Sequence, residues 1–168
     1  MSLDLIERFE AGGAILAYAV AGLTRDQEAA RPGPGAWSIA ELAAHLADSD
    51  LVATDRMKRV IAEDEPVLLA YDENAWVTRL AYQDQPATEA AALFAANRRW
   101  IAHVLRRLDE ADFARNGQHS EHGRMSLAEL LSTYVGHLDH HLRFLYAKRA
   151  NLGLSLYPRY SANDAGRD

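Results

Sequence analysis

A long stretch near the C-terminal end, 126–149, limits the fold more than any other part of the chain. Ser126 and Glu129 form an S-x-x-E capping box, which marks the start of a helix, and Lys148 and Arg149 suit its negative end. Apolar residues recur in the stretch at three- and four-residue spacing and share one face: Leu127, Leu131, Tyr134, Leu138, Leu142 and Leu145. A helix with one apolar face must pack against other elements, so the stretch predicts one member of a helical bundle.

The same helix carries histidines beside its apolar face. With a rotation of about 100° per residue, His137 and His141 lie one turn apart at the edge of the apolar face, whereas His140 points to the opposite side. Residues four apart on a helix are neighbours, so two imidazole nitrogens can converge on one metal ion. The pair therefore predicts two metal ligands, with His140 facing solvent or a partner chain.

A second helix repeats this arrangement. Ser38 and Glu41 form another capping box, and the apolar spacing continues to about residue 63. His45 again lies at the edge of the apolar face, and Asp48 is a candidate to support it from the polar side. Three neutral imidazoles with one open position are typical of a catalytic metal site. The HExxH motif is absent, and Glu41 has the wrong spacing to His45 for a ferritin-like di-iron site.

The rest of the chain supplies two more long helices and several loops. Periodic apolar residues predict helices over 2–22 and 86–108, and Asp72 can cap a shorter helix of two or three turns. The Pro- and Gly-rich segment 24–36 and the segment 109–125 are predicted to be loops, with a turn at Asn116-Gly117. No strand of convincing length is apparent. The sequence predicts an all-α fold, a four-helix bundle with long crossover loops.

Length and composition fit one domain. We expect residues 1–168 to form a single bundle, with a C-terminal tail over about 151–168 whose last polar residues are poorly ordered. The absence of Cys excludes disulfides and a cysteine nucleophile. A net charge of −6 argues against a nucleic-acid partner, and no apolar run is long enough to cross a membrane. A cytoplasmic protein is expected.

Two segments around the histidines resemble the signature segments of the DinB/YfiT-like superfamily. They are Trp37-Ser-Ile-Ala-Glu-Leu-Ala-Ala-His45-Leu-Ala-Asp48-Ser49 and Tyr134-Val-Gly-His137-Leu-Asp-His140-His141-Leu. The intervening 55–57, 70–76 and 121–123 resemble the YfiT branch in particular, and the likeness covers about residues 1 to 150. The resemblance implies a four-helix bundle that holds one zinc or nickel ion per chain through His45, His137 and His141. It also implies a homodimer.

The resemblance leaves the reaction open. Some members of the family transfer low-molecular-weight thiols to electrophiles, and many are described only as metal-dependent hydrolases. Of these reactions we favour the first, and expect an enzyme that transfers a small thiol to an electrophilic small molecule. The alternatives are a hydrolase that uses a metal-bound water and a non-catalytic, metal-stabilised stress-response or binding module. A fourth protein ligand on the metal would favour the module.

Further candidates for the site lie outside the three histidines. Arg56 is on the same side of its helix as His45 and is a candidate to bind a substrate carboxylate, with a salt bridge to a neighbouring helix as the alternative. Tyr71 and Trp76 are candidate substrate-binding residues, although the sequence favours packing over substrate binding for Trp76. His119 and His122 are either at the rim of the pocket or mobile surface residues.

Overall fold

Four long helices form the protein, as expected from the sequence, and shorter elements connect them. The computed structural model describes residues 2–161. In chain order its helices are α1 (Ser2–Val20), α2 (Arg25–Ala29), α3 (Ile39–Ala62), α4 (Glu73–Arg79), α5 (Ala87–Leu105), α6 (Glu110–Phe113) and α7 (Leu127–Asn151). None of these helices combines the length and apolarity that a membrane span needs.

Hydrogen-bonded caps fix the starts of the helices that matter for function. The Ser38 hydroxyl accepts from the backbone N–H of Glu41 at 3.1 Å, and the Glu41 carboxylate accepts from the N–H of Ser38 at 2.8 Å. Ser126 and Glu129 form the same reciprocal pair at the start of α7. Asp72 caps α4 as predicted. These caps set where α3 and α7 begin, and therefore which side chains face each other.

The segment 109–125 differs from the predicted loop. It contains α6 and two strands, β2 (Asn116–His119) and β3 (Gly123–Ser126), and β2 also pairs in parallel with a short strand β1 (Val67–Leu68). Asn116 and Gly117 lie within β2, so the turn predicted there is wrong, and the chain reverses after His119 instead. The strands are short and polar, and they form because β2 pairs with a segment some fifty residues earlier, which local spacing does not show.

Two large apolar clusters of the core meet at a buried ion pair, and a third, small cluster contains Ala44, Val77 and Tyr82. Arg98 lies with its guanidinium 4.1 Å from the ring centroids of both Phe9 and Phe94, which belong to different clusters. It donates to the Asp50 carboxylate at 2.8 Å and to the backbone carbonyls of Phe9 and Tyr134 at 2.9 Å each. Its hydrogen bonds therefore join α5, where it lies, to α3, α1 and α7.

Helices α1 and α5 approach closely at a glycine. A Cβ atom built on Gly13 would lie 2.8 Å from the Cα of Ala95, so a side chain at this position would force the two backbones apart. Small residues at the contact allow the helices to pack backbone against backbone. This approach brings the N-terminal helix against the face of α5 that carries Arg98.

The chain folds back on itself after α7. Gly153 has a positive φ of 73°, and the following segment returns along the bundle. The hydroxyl of Tyr146 hydrogen-bonds to the backbone of Arg159 at 3.2 Å, and the buried Ser161 donates its N–H to Asp139 at 2.7 Å. The first part of the predicted tail is thus packed, and the polar last residues lie outside the described part of the chain.

Candidate metal centre

Three histidines from two helices converge at one point of the bundle. His45 comes from α3, and His137 and His141 come from successive turns of α7. The Nε2 atom of His137 lies 3.3 Å from Nε2 of His45 and 3.1 Å from Nε2 of His141. His45 is buried and the other two are half-buried. The structure therefore brings together all three of the ligands predicted from the sequence.

The spacing of these nitrogens suits a tetrahedral metal ion. Ligand nitrogens at about 2.0–2.1 Å from a tetrahedral zinc ion lie roughly 3.3–3.4 Å from one another, close to the two distances observed. One ligand atom from each histidine lies within 4.8 Å of the other two, and over residues 2–161 no further side chain joins this group. The cluster is a possible three-histidine metal site without a fourth protein ligand in the described part of the chain.

The surroundings keep the three imidazoles neutral, which is the form that binds a metal. Burial lowers the pKa of His45 to about 4. Burial, with the proximity of His141 and His45, lowers the pKa of His137 to about 2. Burial and the nearby His45 lower the pKa of His141 to about 3. Each imidazole therefore offers a lone pair at neutral pH.

Aromatic rings hold the histidines in place. The Trp37 ring stacks against His141 with an interplanar angle of 11° and lies 5.1 Å from the centroid of His45. Tyr134 contacts His137 edge-on, with the centroids 6.0 Å apart. His140 is exposed, packs its ring against Phe144 and does not join the cluster. The helical phase inferred from the sequence thus agrees with this placement.

A cleft of about 170 Å³ opens beside the histidines, and His137 forms part of its wall. Residues from α3, α7, the segment after β1 and the β2–β3 hairpin line it: Ser49, Arg56, Ala70, Tyr71, Glu73, His119, Glu121, His122, Met125, Leu130, Thr133, Tyr134 and His137. Most of these side chains are polar. The possible metal site is therefore next to a polar cleft.

Of the three candidate substrate-binding residues, Arg56 and Tyr71 line the cleft and Trp76 does not. Arg56 lies in the cleft wall and donates to the hydroxyl of Tyr134 and to the carbonyl of Leu69. The salt bridge considered for Arg56 is absent from residues 2–161. Tyr71 also lines the cleft, whereas Trp76 packs behind it with the ring centroids 4.3 Å apart. Trp76 is therefore a packing residue that supports the wall.

Asp48 does not contact a histidine, whereas the two loop histidines take the first of their predicted alternatives and line the cleft. Asp48 accepts a hydrogen bond from the hydroxyl of Tyr82, so its observed partner is a tyrosine and not a histidine. His119 and His122 stack on each other with their centroids 4.7 Å apart, and both line the cleft. His119 is buried, with 4% of its surface exposed, so it is not a mobile surface residue. No local sequence pattern indicates this burial, because it follows from the pairing of β2 with β1.

Comparison with known proteins identifies the family. A model described as the DinB superfamily matches residues 8–145. The chain belongs to the DinB superfamily. A relative from Bacillus licheniformis is 30% identical over 141 residues, which cover 83% of this chain and 80% of the relative. A relative from Oceanobacillus iheyensis is 33% identical over 108 residues, covering 64% and 62%. Both carry the name "putative metal-dependent hydrolase".

Two solved structures share this fold. YfiT from Bacillus subtilis, described as a probable metal-dependent hydrolase with an unusual four-helix bundle topology, superimposes with a TM-score of 0.85 at 26% identity, covering 92% of this chain and 89% of that one. A DinB-like protein from Bacillus subtilis superimposes with a TM-score of 0.66 at 15% identity, over 93% and 96%. The matches to the first two curated relatives span only 62% and 61% of those proteins.

Proposed function

We propose that this protein of the DinB superfamily is a metal-dependent hydrolase in which His45, His137 and His141 hold one divalent ion. The observation that carries the proposal is the convergence of three Nε2 atoms beside a polar cleft, without a fourth ligand among residues 2–161. A divalent ion with an open coordination position lowers the pKa of a bound water to near neutrality and polarises a substrate carbonyl or phosphoryl group.

The residues of the cleft suit the other requirements of hydrolysis. Glu73 and Glu121 line the cleft, and burial together with the charge of Glu121 raises the pKa of Glu73. A carboxylate with a raised pKa is a better proton acceptor near neutral pH. Stacking of Trp37 and edge contact of Tyr134 keep the imidazoles in fixed orientations. Because Glu73 lines the cleft beside His137, we propose it as the proton acceptor, and we propose the two aromatic rings as positioning residues.

Thiol transfer, which we expected first from the sequence, becomes the second candidate. The same open position could bind a small thiolate, and the chain contains no Cys, so the thiol would come from a cosubstrate. The relatives described above are named for hydrolysis, and their names support that reaction better. The non-catalytic module loses support because residues 2–161 offer no fourth ligand that would close the site.

The test compares metal-stripped protein with protein reloaded with zinc or nickel. Both are assayed against a panel of esters, amides and phosphoesters, and separately against electrophiles in the presence of cysteine or glutathione. Hydrolysis that requires the ion and is abolished in His137→Ala supports the proposal. Metal-dependent loss of thiol, with no hydrolysis, would replace it with thiol transfer. Tight binding of one ion per chain without turnover in either assay would support the module.

A further inference from the structure

We propose that Arg56, Tyr71, Tyr134 and His119, which line the cleft, form an oxyanion-binding subsite that takes a carboxylate or phosphate group. Calling this group part of the substrate rests on the proposed function, whereas the binding itself does not. All four residues carry hydrogen-bond donors, and three of them are buried: Arg56, Tyr134 and His119.

Arg56 is a buried cation with unused binding capacity. Only 7% of its surface is exposed. One terminal nitrogen donates to the Tyr134 hydroxyl at 2.6 Å, and the other donates to the carbonyl of Leu69. Its Nε is buried and has no hydrogen-bond partner, and none of the acidic residues within 2–161 forms an ion pair with this guanidinium. A buried charge that lacks a counterion is costly, and a bound anion would remove that cost.

Two tyrosine hydroxyls add donors on the same cleft. The Tyr71 hydroxyl is buried and has no hydrogen bond of acceptable geometry among the described residues, although Ser49 lies close to it. Burial raises the pKa of Tyr71 to about 12, so the hydroxyl keeps its proton at neutral pH. The Tyr134 oxygen already accepts from Arg56, which leaves its own O–H to donate. Both hydroxyls can therefore donate a hydrogen bond to a bound acceptor.

His119 contributes a donor whose tautomer is fixed by the backbone. Its Nδ1 accepts the N–H groups of Glu121 and His122 at 3.2 and 3.3 Å. The neutral ring therefore carries its proton on Nε2. Burial, with the nearby Arg56, lowers the pKa of His119, which keeps the ring neutral. A hydrogen bond to Nδ1 from two amides is incompatible with protonation there, so His119 serves as a donor.

The acidic residues of the cleft limit which anions fit. Glu73 and Glu121 are exposed and lie on the same cleft as the buried donors. Their charges would repel a ligand that is anionic along its whole length. The subsite therefore selects a ligand with one oxyanion group at its buried end and a neutral or cationic remainder. Because His137 belongs to both the cleft and the histidine cluster, the bound group would lie beside the possible metal site.

The test uses the full chain and measures binding without turnover. Acetate and inorganic phosphate are titrated into the protein and followed by NMR, and the metal content of every sample is determined. Wild type should show saturable binding of at least one probe. Arg56→Met should weaken it at least ten-fold, and Tyr71→Phe should weaken it by about ten-fold, the loss expected for one hydrogen bond to a charged group. A preference for acetate assigns a carboxylate, and a preference for phosphate assigns a phosphate group.

Two further variants keep the test decisive. Tyr71→Phe removes a hydroxyl that lacks a good partner, so it should not lower the melting temperature, and it decides the matter if Arg56→Met fails to fold. Tyr146→Phe is the matched control, since its hydroxyl binds the C-terminal backbone outside the cleft, and it should bind the probes like wild type. The subsite would be refuted if Tyr71→Phe bound the probes with the affinity of wild type at equal metal content. It would also be refuted if neither probe showed saturable binding to wild type. Either result leaves the hydrolase proposal to its own assay.

Discussion

Arg98 is the residue on which the packing of the bundle depends most. It is fully buried between two phenylalanine rings, and it forms an ion pair with the equally buried Asp50. Burial raises the pKa of Asp50 and lowers that of Arg98, while the ion pair between them opposes both shifts. Removing one partner would leave the other as an uncompensated buried charge, which is far more costly than losing an exposed pair.

We predict that Arg98→Met lowers the free energy of unfolding by about 3–5 kcal/mol. Arg106→Met is the matched control, directly after the end of the same helix, because Arg106 pairs with Glu10 at the surface, and it should cost no more than about 1 kcal/mol. Urea denaturation of the two variants and wild type gives both values. Similar losses for the two arginines would contradict the importance assigned to the buried pair.

Adjacent histidines on α7 provide a second prediction at this scale. His141 is in the cluster and His140 packs against Phe144 outside it. We expect His141→Ala, like His45→Ala and His137→Ala, to remove most of the affinity for zinc or nickel, and His140→Ala to stay within a few-fold of wild type. Competition with a chromophoric chelator measures each affinity. Loss of the ion in His140→Ala with retention in His141→Ala would refute the assignment.

Individual residues were predictable where a helix fixes their direction. The rotation per residue was enough to separate His141 from His140 and to place Arg56 on the same side as His45. His119 could not be placed in this way, because its burial follows from the pairing of its strand with Leu68. Asp50 was not recognised either, since its partner is on another helix. Local sequence carries the direction of a side chain but not the identity of a distant partner.

At the scale of elements, caps and apolar spacing predicted all four long helices, with boundaries within a few residues. The capping boxes at Ser38 and Ser126 gave the starts of α3 and α7 correctly. The β2–β3 hairpin was missed because its strands have four residues each and lack an alternating apolar pattern. Part of the cleft wall comes from this hairpin, so the metal site was easier to predict than the cleft beside it.

We predict that alanine substitution has opposite effects on the free energy of unfolding at two glycines, Gly13 in the contact of α1 with α5 and Gly136 in α7. Gly13→Ala would place a methyl group against the backbone of Ala95 and should lower the free energy of unfolding by about 1–3 kcal/mol. Gly136→Ala, in α7, has no atom within 4 Å of the new Cβ and should raise it by about 0.5–1 kcal/mol, because alanine is the better helix former. Thermal and urea unfolding measure both. If both substitutions changed the free energy of unfolding in the same direction, the close packing of α1 against α5 at Gly13 would be refuted.

For the whole molecule, the homodimer implied by the family resemblance stays a prediction. The surface keeps several exposed apolar side chains, of which Trp100 is 68% and Phe144 is 49% exposed. We expect light scattering at micromolar concentration to give about twice the chain mass of 18.6 kDa. A mass of one chain across the concentration range would refute the dimer, and it would leave the metal site intact because all three histidines belong to one chain.

The hydrogen bonds of Arg98 also affect local opening of the folded protein. Each long helix is joined to the same guanidinium, directly or through Asp50, so a helix that moves away from the bundle breaks a hydrogen bond of Arg98. Local openings of the bundle should therefore merge into one cooperative event, and the slowest-exchanging amides of all four helices should share a single exchange free energy. The histidines would then be pre-organised in the apoprotein, and the ion would bind to a preformed site instead of inducing its formation.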